Sequence, residues 1–239
     1  MASIHGGRPA RATGLVLVTA ACIVAATPAA AWAHGVSGHA DSAGAFLGLG
    51  FRHMLLGWDH LLFIAGVVLL LAPEIERAMI TLSLFALGHS ATLIAGTLAG
   101  WRFDPVLVDV AIALSLAYIG LVGWFGPPAR WRLFNAAVLA VGLVHGLGLA
   151  TRLQDPQFTG HLTLWRVLAF NAGVELAQLF GGGIIVLIGL AAKESLKDRL
   201  SSATTWRLAH GGLIVVGLGA SALLLTTAAS GGSTALTLP

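Results

Sequence analysis

Histidine and carboxylate side chains recur in a chain that is otherwise apolar. Six of them are candidate metal ligands: His53, Asp59, His60, His89, His145 and Glu175. Imidazole and carboxylate without thiolate suit borderline divalent ions such as nickel, cobalt or zinc better than copper(I). Histidine beside carboxylate also suits proton transfer. Placing an ionisable side chain inside a bilayer costs free energy, so each of these residues is a candidate for a functional site.

Five further polar residues are candidates for supporting roles: His34, His39, Asp109, Asn171 and Gln178. Asn171, Glu175 and Gln178 are four and three residues apart, so they share one helix face. Each polar residue also has a plainer explanation. A lone histidine such as His89, or an amide such as Asn171, can hydrogen-bond across helices. Asp109 can simply occupy a helix end.

The spacing of His53 and His60 makes a structural prediction. Seven residues put both side chains on one helix face, but about 10.5 Å apart on a straight helix. They could then not bind the same ion. A break at Gly57 would change that distance, and broken helices near the midplane are a recurrent way to build ion sites in transporters. The stretch predicts a short entry helix, a break near Gly57 and then a span.

The elements that must position these groups are apolar helices. The chain has 239 residues, of which 57% are hydrophobic and 10% charged, and its mean hydropathy is +0.88. A soluble domain carries about 25% charged residues. Six continuous apolar runs have the length of spans: 44–72, 77–100, 105–126, 130–151, 162–192 and 206–228. We predict an all-α polytopic membrane bundle of six transmembrane helices after a cleaved signal peptide.

Four segments follow from this prediction: a signal peptide at 1–33, an external arm at 34–43, the membrane domain at 44–229 and a disordered tail at 230–239. The signal is indicated by Arg8 and Arg11, a short apolar core and the small residues around Ala33. An uncleaved first transmembrane helix is the alternative. The single cysteine, Cys22, leaves no disulfide framework and no thiolate metal site.

The basic residues favour an N-terminus and a C-terminus outside the cytoplasmic membrane. With that orientation the inner loops hold seven Lys and Arg residues and the outer side four. Asp59, His60 and His89 then fall near the midplane, and His145 and Glu175 between midplane and outer surface. The expected partners are the lipid bilayer and a metal ion. The sequence has no basic patch of the kind that binds nucleic acid, so no nucleic-acid partner is expected. Whether the protein forms a homo-oligomer is left open.

Four polar motifs stand in order along the chain. His53-x5-Asp59-His60 lies within 50–63, and the others are Leu-Gly-His-Ser-x-Thr-Leu at 87–93, Val-His-Gly-Leu-Gly at 144–148 and Phe-Asn-x-Gly-Val-Glu-Leu-x-Gln at 170–178. Together they resemble the second branch of the HupE/UreJ family, hydrogenase- and urease-associated membrane proteins regarded as nickel or cobalt permeases. The resemblance implies six spans after a cleaved signal, and nickel or cobalt as the ion.

One motif of the better-studied permeases in that family is incomplete here. Phe-His-Gly-x-Ala-His-Gly-x-Glu is represented by a single His-Gly pair, His145-Gly146, with no glutamate later in that span. Glu175 in the next span is the candidate for the missing carboxylate. This departure from the motif counts against nickel as the substrate more than it counts against the predicted fold.

The leading hypothesis is a metal-cation permease whose path is lined by five residues: Asp59, His60, His89, His145 and Glu175. His53 would be an outer ligand or gate residue, and His34 and His39 could capture the ion at the surface. No ATP-binding motif is present, so transport would be channel-like or gradient-driven. One alternative is an intramembrane metal-dependent enzyme or metallocentre accessory protein using the same residues. Another is a structural protein that anchors a partner.

Overall fold

The computed structural model of the chain describes residues 42–71, 74–154, 164–195 and 203–234. All regular secondary structure in these ranges is helical, which confirms the all-α prediction. The helices are α1 (Ala43–Leu56), α2 (Trp58–Leu71), α3 (Ile75–Leu98), α4 (Pro105–Phe125), α5 (Trp131–Leu153), α6 (Leu164–Ser195) and α7 (Ala203–Thr234). The predicted signal peptide lies outside the described residues, as do His34 and His39.

The helices have the length and composition of a multi-pass membrane protein. Within the described ranges, five of them are long and apolar enough to cross a bilayer, and the bent pair α1 and α2 makes a sixth if it is one span. Their bounds follow the predicted spans closely, except that α7 continues past 228 to Thr234. Hydroxyls at that end donate back to helix carbonyls, with Thr227 Oγ1 3.0 Å from the oxygen of Leu223.

The break predicted at Gly57 is present. Gly57 has an extended conformation, φ −71° and ψ 97°, so α1 stops there and α2 begins at Trp58. Its N–H still donates to the carbonyl of His53 at 2.9 Å, while its own carbonyl accepts from Leu61 at 3.2 Å. The two helices are bent by 62° relative to each other. The first span is therefore a broken one, or a re-entrant turn, with Gly57 at its corner.

Three helix pairs make most of the contacts in the bundle: α1 with α6, α3 with α5, and α4 with α7. Glycine lets the backbones of each pair approach closely. A Cβ added to Gly142 would lie 2.2 Å from the carbonyl oxygen of Phe85, and one added to Gly146 would lie 2.2 Å from that of His89. Gly50 and Gly173 serve α1 and α6 in the same way. The close approach of α5 to α3 fixes His145 and His89 at neighbouring heights.

Replacing Gly146 with alanine is expected to destabilise the bundle. The new methyl group would lie 2.1 Å from Thr92 Oγ1 as well as against the backbone of α3, so the two helices must separate. Overpacking of this kind costs about 1–3 kcal/mol, which thermal unfolding in detergent would detect as a lower Tm. Gly219→Ala is the control, because nothing lies within 4 Å of a Cβ at Gly219. An equal Tm for the two variants would contradict the packing described.

The connection between α3 and α4 is attached to the C-terminal end of α5. Phe103 donates its backbone N–H to Thr151 Oγ1 at 3.2 Å, and Arg102 Nη2 donates to the carbonyl of Gln154 at 3.0 Å. Asp104 caps α4 by accepting from the backbone N–H of Val106 at 2.8 Å. These bonds place the start of α4 beside the end of α5.

Candidate metal-ion site

The break at Gly57 brings His53 and His60 together. Their ring centroids are 5.3 Å apart and the rings meet edge to face, about half the separation that a straight helix would impose. Glycine at the corner leaves room for the His60 ring, because a Cβ there would lie 2.5 Å from His60 Nδ1 and 3.1 Å from Asp59 Oδ1. The His60 ring thus occupies the space that a side chain at position 57 would need.

His60 is the hub of four neighbouring imidazoles, which we call the histidine cluster: His53, His60, His89 and His145. The His60 centroid lies 5.2 Å from that of His145 and 6.2 Å from that of His89. Only 2–4% of the surface of His60, His89 and His145 is exposed. Three different spans, α1–α2, α3 and α5, therefore contribute rings to one buried place.

Asp59 is positioned to orient the central ring. Its Oδ1 lies 3.0 Å from His60 Nδ1 and also accepts the backbone N–H of His60 at 2.9 Å. A carboxylate that accepts from Nδ1–H holds the ring in one tautomer and leaves Nε2 with a lone pair. Asp59 thus acts through His60, in the way that carboxylates commonly support metal-binding histidines.

His145 and His89 each present an unpaired nitrogen inside the bundle. His145 Nδ1 lies 2.9 Å from the carbonyl of Val141, which can only accept, so Nδ1 carries the proton and Nε2 is a lone-pair acceptor. Among the described residues, Nε2 of His145 and Nε2 of His89 have no hydrogen-bond partner. A buried polar atom without a partner carries a free-energy cost of about 1–3 kcal/mol. A bound cation would remove that cost.

Aromatic side chains enclose the histidine cluster. Phe85 and Phe63 lie against His145, with centroid distances of 5.0 and 6.1 Å, and Phe170 lies 6.0 Å from His53. All three phenylalanines are buried. The wall is apolar, so charge–ligand interactions within it are stronger than in water.

Glu175 is close to this region but bonds to other side chains. It accepts from Asn171 Nδ2 at 2.8 Å and from Ser90 Oγ at 3.0 Å, and it is exposed on the surface of the bundle. Gln178, predicted to share its face, instead donates to the carbonyl of Leu82 on α3 at 3.1 Å. Ser90, the neighbour of His89 in the chain, is a partner that the helical spacing within α6 did not reveal.

Asp109 forms an ion pair with Arg152, joining the start of α4 to the end of α5. Both side chains are partly buried. The sequence predicts a supporting role or a helix-end position for Asp109, and it does not indicate Arg152 as its partner. The partners are 43 residues apart, and no pattern in the sequence joins them.

The structure brings His53, Asp59, His60, His89 and His145 together, whereas Glu175 lies on the exposed surface of the bundle, bonded to Asn171 and Ser90. Across the described ranges, no three His, Cys, Asp or Glu side chains converge closely enough to hold one metal ion as they stand. The rings are neighbours in pairs, and their assignment as metal ligands stays a prediction.

One comparison with known proteins identifies the chain. The profile of the family described as HupE / UreJ protein matches residues 29–226, a range that contains α1 to α6 and most of α7. No curated protein and no solved structure shows a significant match. Because the match includes the broken first span and every member of the histidine cluster, the chain belongs to the HupE / UreJ family of membrane proteins.

Proposed function

We propose that this protein is a permease that passes a divalent transition-metal cation, nickel or cobalt, across the cytoplasmic membrane. The observation that carries the proposal is the unpaired Nε2 atoms of His89 and His145, buried beside His60 in membrane-spanning helices. Membership of the HupE / UreJ family supports the same conclusion. The five long apolar helices, together with the bent pair α1 and α2, supply the bilayer crossing that such a function needs.

Neighbouring imidazoles suit a cation that must be released again. Metal–nitrogen bonds are about 2.0–2.1 Å, so two rings whose centroids are 5.2–6.2 Å apart can share one ion after small rotations. Conduction requires binding that is strong enough for entry and weak enough for exit. In the proposal, the ion reaches the cluster at His60, whose ring neighbours those of His53, His89 and His145.

The proposed path begins at the C-terminal end of α5, which faces outward in the orientation that the basic residues favour. His145 lies eight residues before Leu153 and His89 nine residues before Leu98, the last residues of α5 and α3. Both depths correspond to roughly 12–14 Å along the helix. The histidine cluster is then in the outer half of the bilayer, and Glu175 is a further carboxylate on the bundle surface, bonded to Ser90.

Uptake of radioactive nickel or cobalt by cells expressing the chain tests the proposal. We expect accumulation above that of empty-vector cells, and Asp59→Asn to reduce it about 10- to 100-fold, as loss of a carboxylate behind a ligand histidine does. Glu74→Gln is the matched control, because Glu74 pairs with Arg77 at the start of α3, away from the cluster. Competition by unlabelled zinc would show how strongly zinc is taken up relative to nickel and cobalt.

Two outcomes would contradict transport. Wild-type accumulation equal to that of the empty vector would overturn the permease. Stoichiometric metal in the purified protein without uptake into liposomes would favour an intramembrane metal-dependent enzyme or accessory protein instead.

A further inference from the structure

A small cavity is lined both by the Asp109–Arg152 ion pair and by Asp59. Its volume is about 30 Å³, and its lining includes Asp109, Arg152, Trp58 and Asp59. A water needs roughly 10–15 Å³ on this measure, so the cavity has room for one or two waters or one ion. Asp59 contacts His60 directly. The cavity therefore reaches the carboxylate that contacts the hub of the histidine cluster.

The charge on the lining matters for a cation that enters this way. Arg152 alone would repel a divalent cation, and Asp109 alone would attract it. Paired, they contribute no net charge to the cavity wall. Removing either partner changes the local charge by one unit, in opposite directions, while the fold keeps the same helices.

We propose that Arg152 gates the cation path by holding Asp109. The ion pair closes the approach to Asp59 and His60, and it opens when an arriving divalent cation replaces the guanidinium on the Asp109 carboxylate. This inference rests on the proposed function and adds a residue to it. Arg152 is a positioning residue, because it acts on the ion through Asp109.

Initial rates of nickel uptake as a function of external concentration test the gate. Arg152→Gln removes the guanidinium from the Asp109 carboxylate and lowers the positive charge of the cavity wall by one unit, and we expect the KM for nickel to fall about three- to tenfold. Asp109→Asn leaves the guanidinium unpaired, and we expect KM to rise by a similar factor. These factors correspond to one charge acting through largely aqueous surroundings. The double variant should return KM to near the wild-type value, and Arg152→Lys, which keeps the charge, should stay near it too.

Two controls separate gating from general surface charge or damage to the fold. Arg102→Gln removes a positive charge at the same end of the bundle, where Arg102 bonds to the Gln154 carbonyl, and should leave KM unchanged. At higher external salt the opposite KM shifts of the two single variants should persist, because salt screens exposed charges much more than the partly buried Asp109–Arg152 pair.

The results distinguish this inference from the function on which it rests. Nickel uptake by the wild type no greater than by the empty vector overturns both. Wild-type uptake with KM shifted in the same direction by Arg152→Gln and Asp109→Asn, or with only the maximal rate lowered, overturns the gate alone. Opposite shifts that cancel in the double variant support it.

Discussion

Cation uptake is expected to fall about 100-fold or more, to the level of empty-vector cells, when His60 is replaced by alanine. The His60 ring is next to those of His53, His89 and His145, so its loss separates the outer ligand from the two inner ones. Removing a ligand should cost at least as much as the 10- to 100-fold typical of the groups behind it. The measurement is the initial rate of radioactive nickel or cobalt uptake.

His210→Gln is the matched control for that variant. His210 is also a fully buried intramembrane imidazole, but it lies between α4 and α7 against Gly123 and Trp206. We expect uptake by His210→Gln to stay at the wild-type level when membrane expression is equal. Equal losses in both variants would show that buried histidines matter here for folding, and would remove the reason to place the ion path at His60.

Gly57→Ala is expected to reduce uptake about 10- to 100-fold while the protein still folds. The added methyl group would lie 2.5 Å from His60 Nδ1 and 3.0 Å from the His53 carbonyl oxygen. The His60 ring must move, and ligands misplaced by about 1 Å lose much of their effect. Alanine is compatible with the backbone at Gly57, since φ is −71°, so the effect would arise from space and not from conformation.

Gly48→Ala tests whether loss of any glycine in this region lowers uptake, or only loss of the glycine at the corner. Nothing lies within 4 Å of a Cβ at Gly48, and alanine favours a helix over glycine by about 1 kcal/mol. We expect wild-type uptake and an unchanged or higher Tm. Uptake by Gly57→Ala at the wild-type rate would contradict the role assigned to the corner between α1 and α2.

The break in the first span could be predicted because the conflict is local. His53 and His60 share a helix face but are too far apart on a straight helix, and Gly57 is the residue between them that most easily allows a bend. The spans could be predicted because bilayer thickness sets the length of an apolar run. Both predictions depend only on residues close together in the chain.

The partners of the carboxylates could not be predicted in this way. Glu175 is hydrogen-bonded by Ser90, 85 residues away, and Asp109 pairs with Arg152 across 43 residues. Helical spacing reports which side chains share a face, but not which neighbouring helix that face meets. Gln178 illustrates the limit, since it shares a face with Glu175 in the sequence pattern yet bonds to the backbone of α3.

The sequence by itself determined the membrane helices, the family-like motifs and the types of side chain at bilayer depth, because hydropathy and short spacings are properties of contiguous residues. Only the tertiary structure decided that three imidazoles, one each from α1, α3 and α5, surround His60. That arrangement depends on the 62° bend at Gly57 and on the close approach of α5 to α3 through Gly142 and Gly146. The bend is local, but the approach of α5 to α3 is a contact between distant segments, which no local pattern encodes.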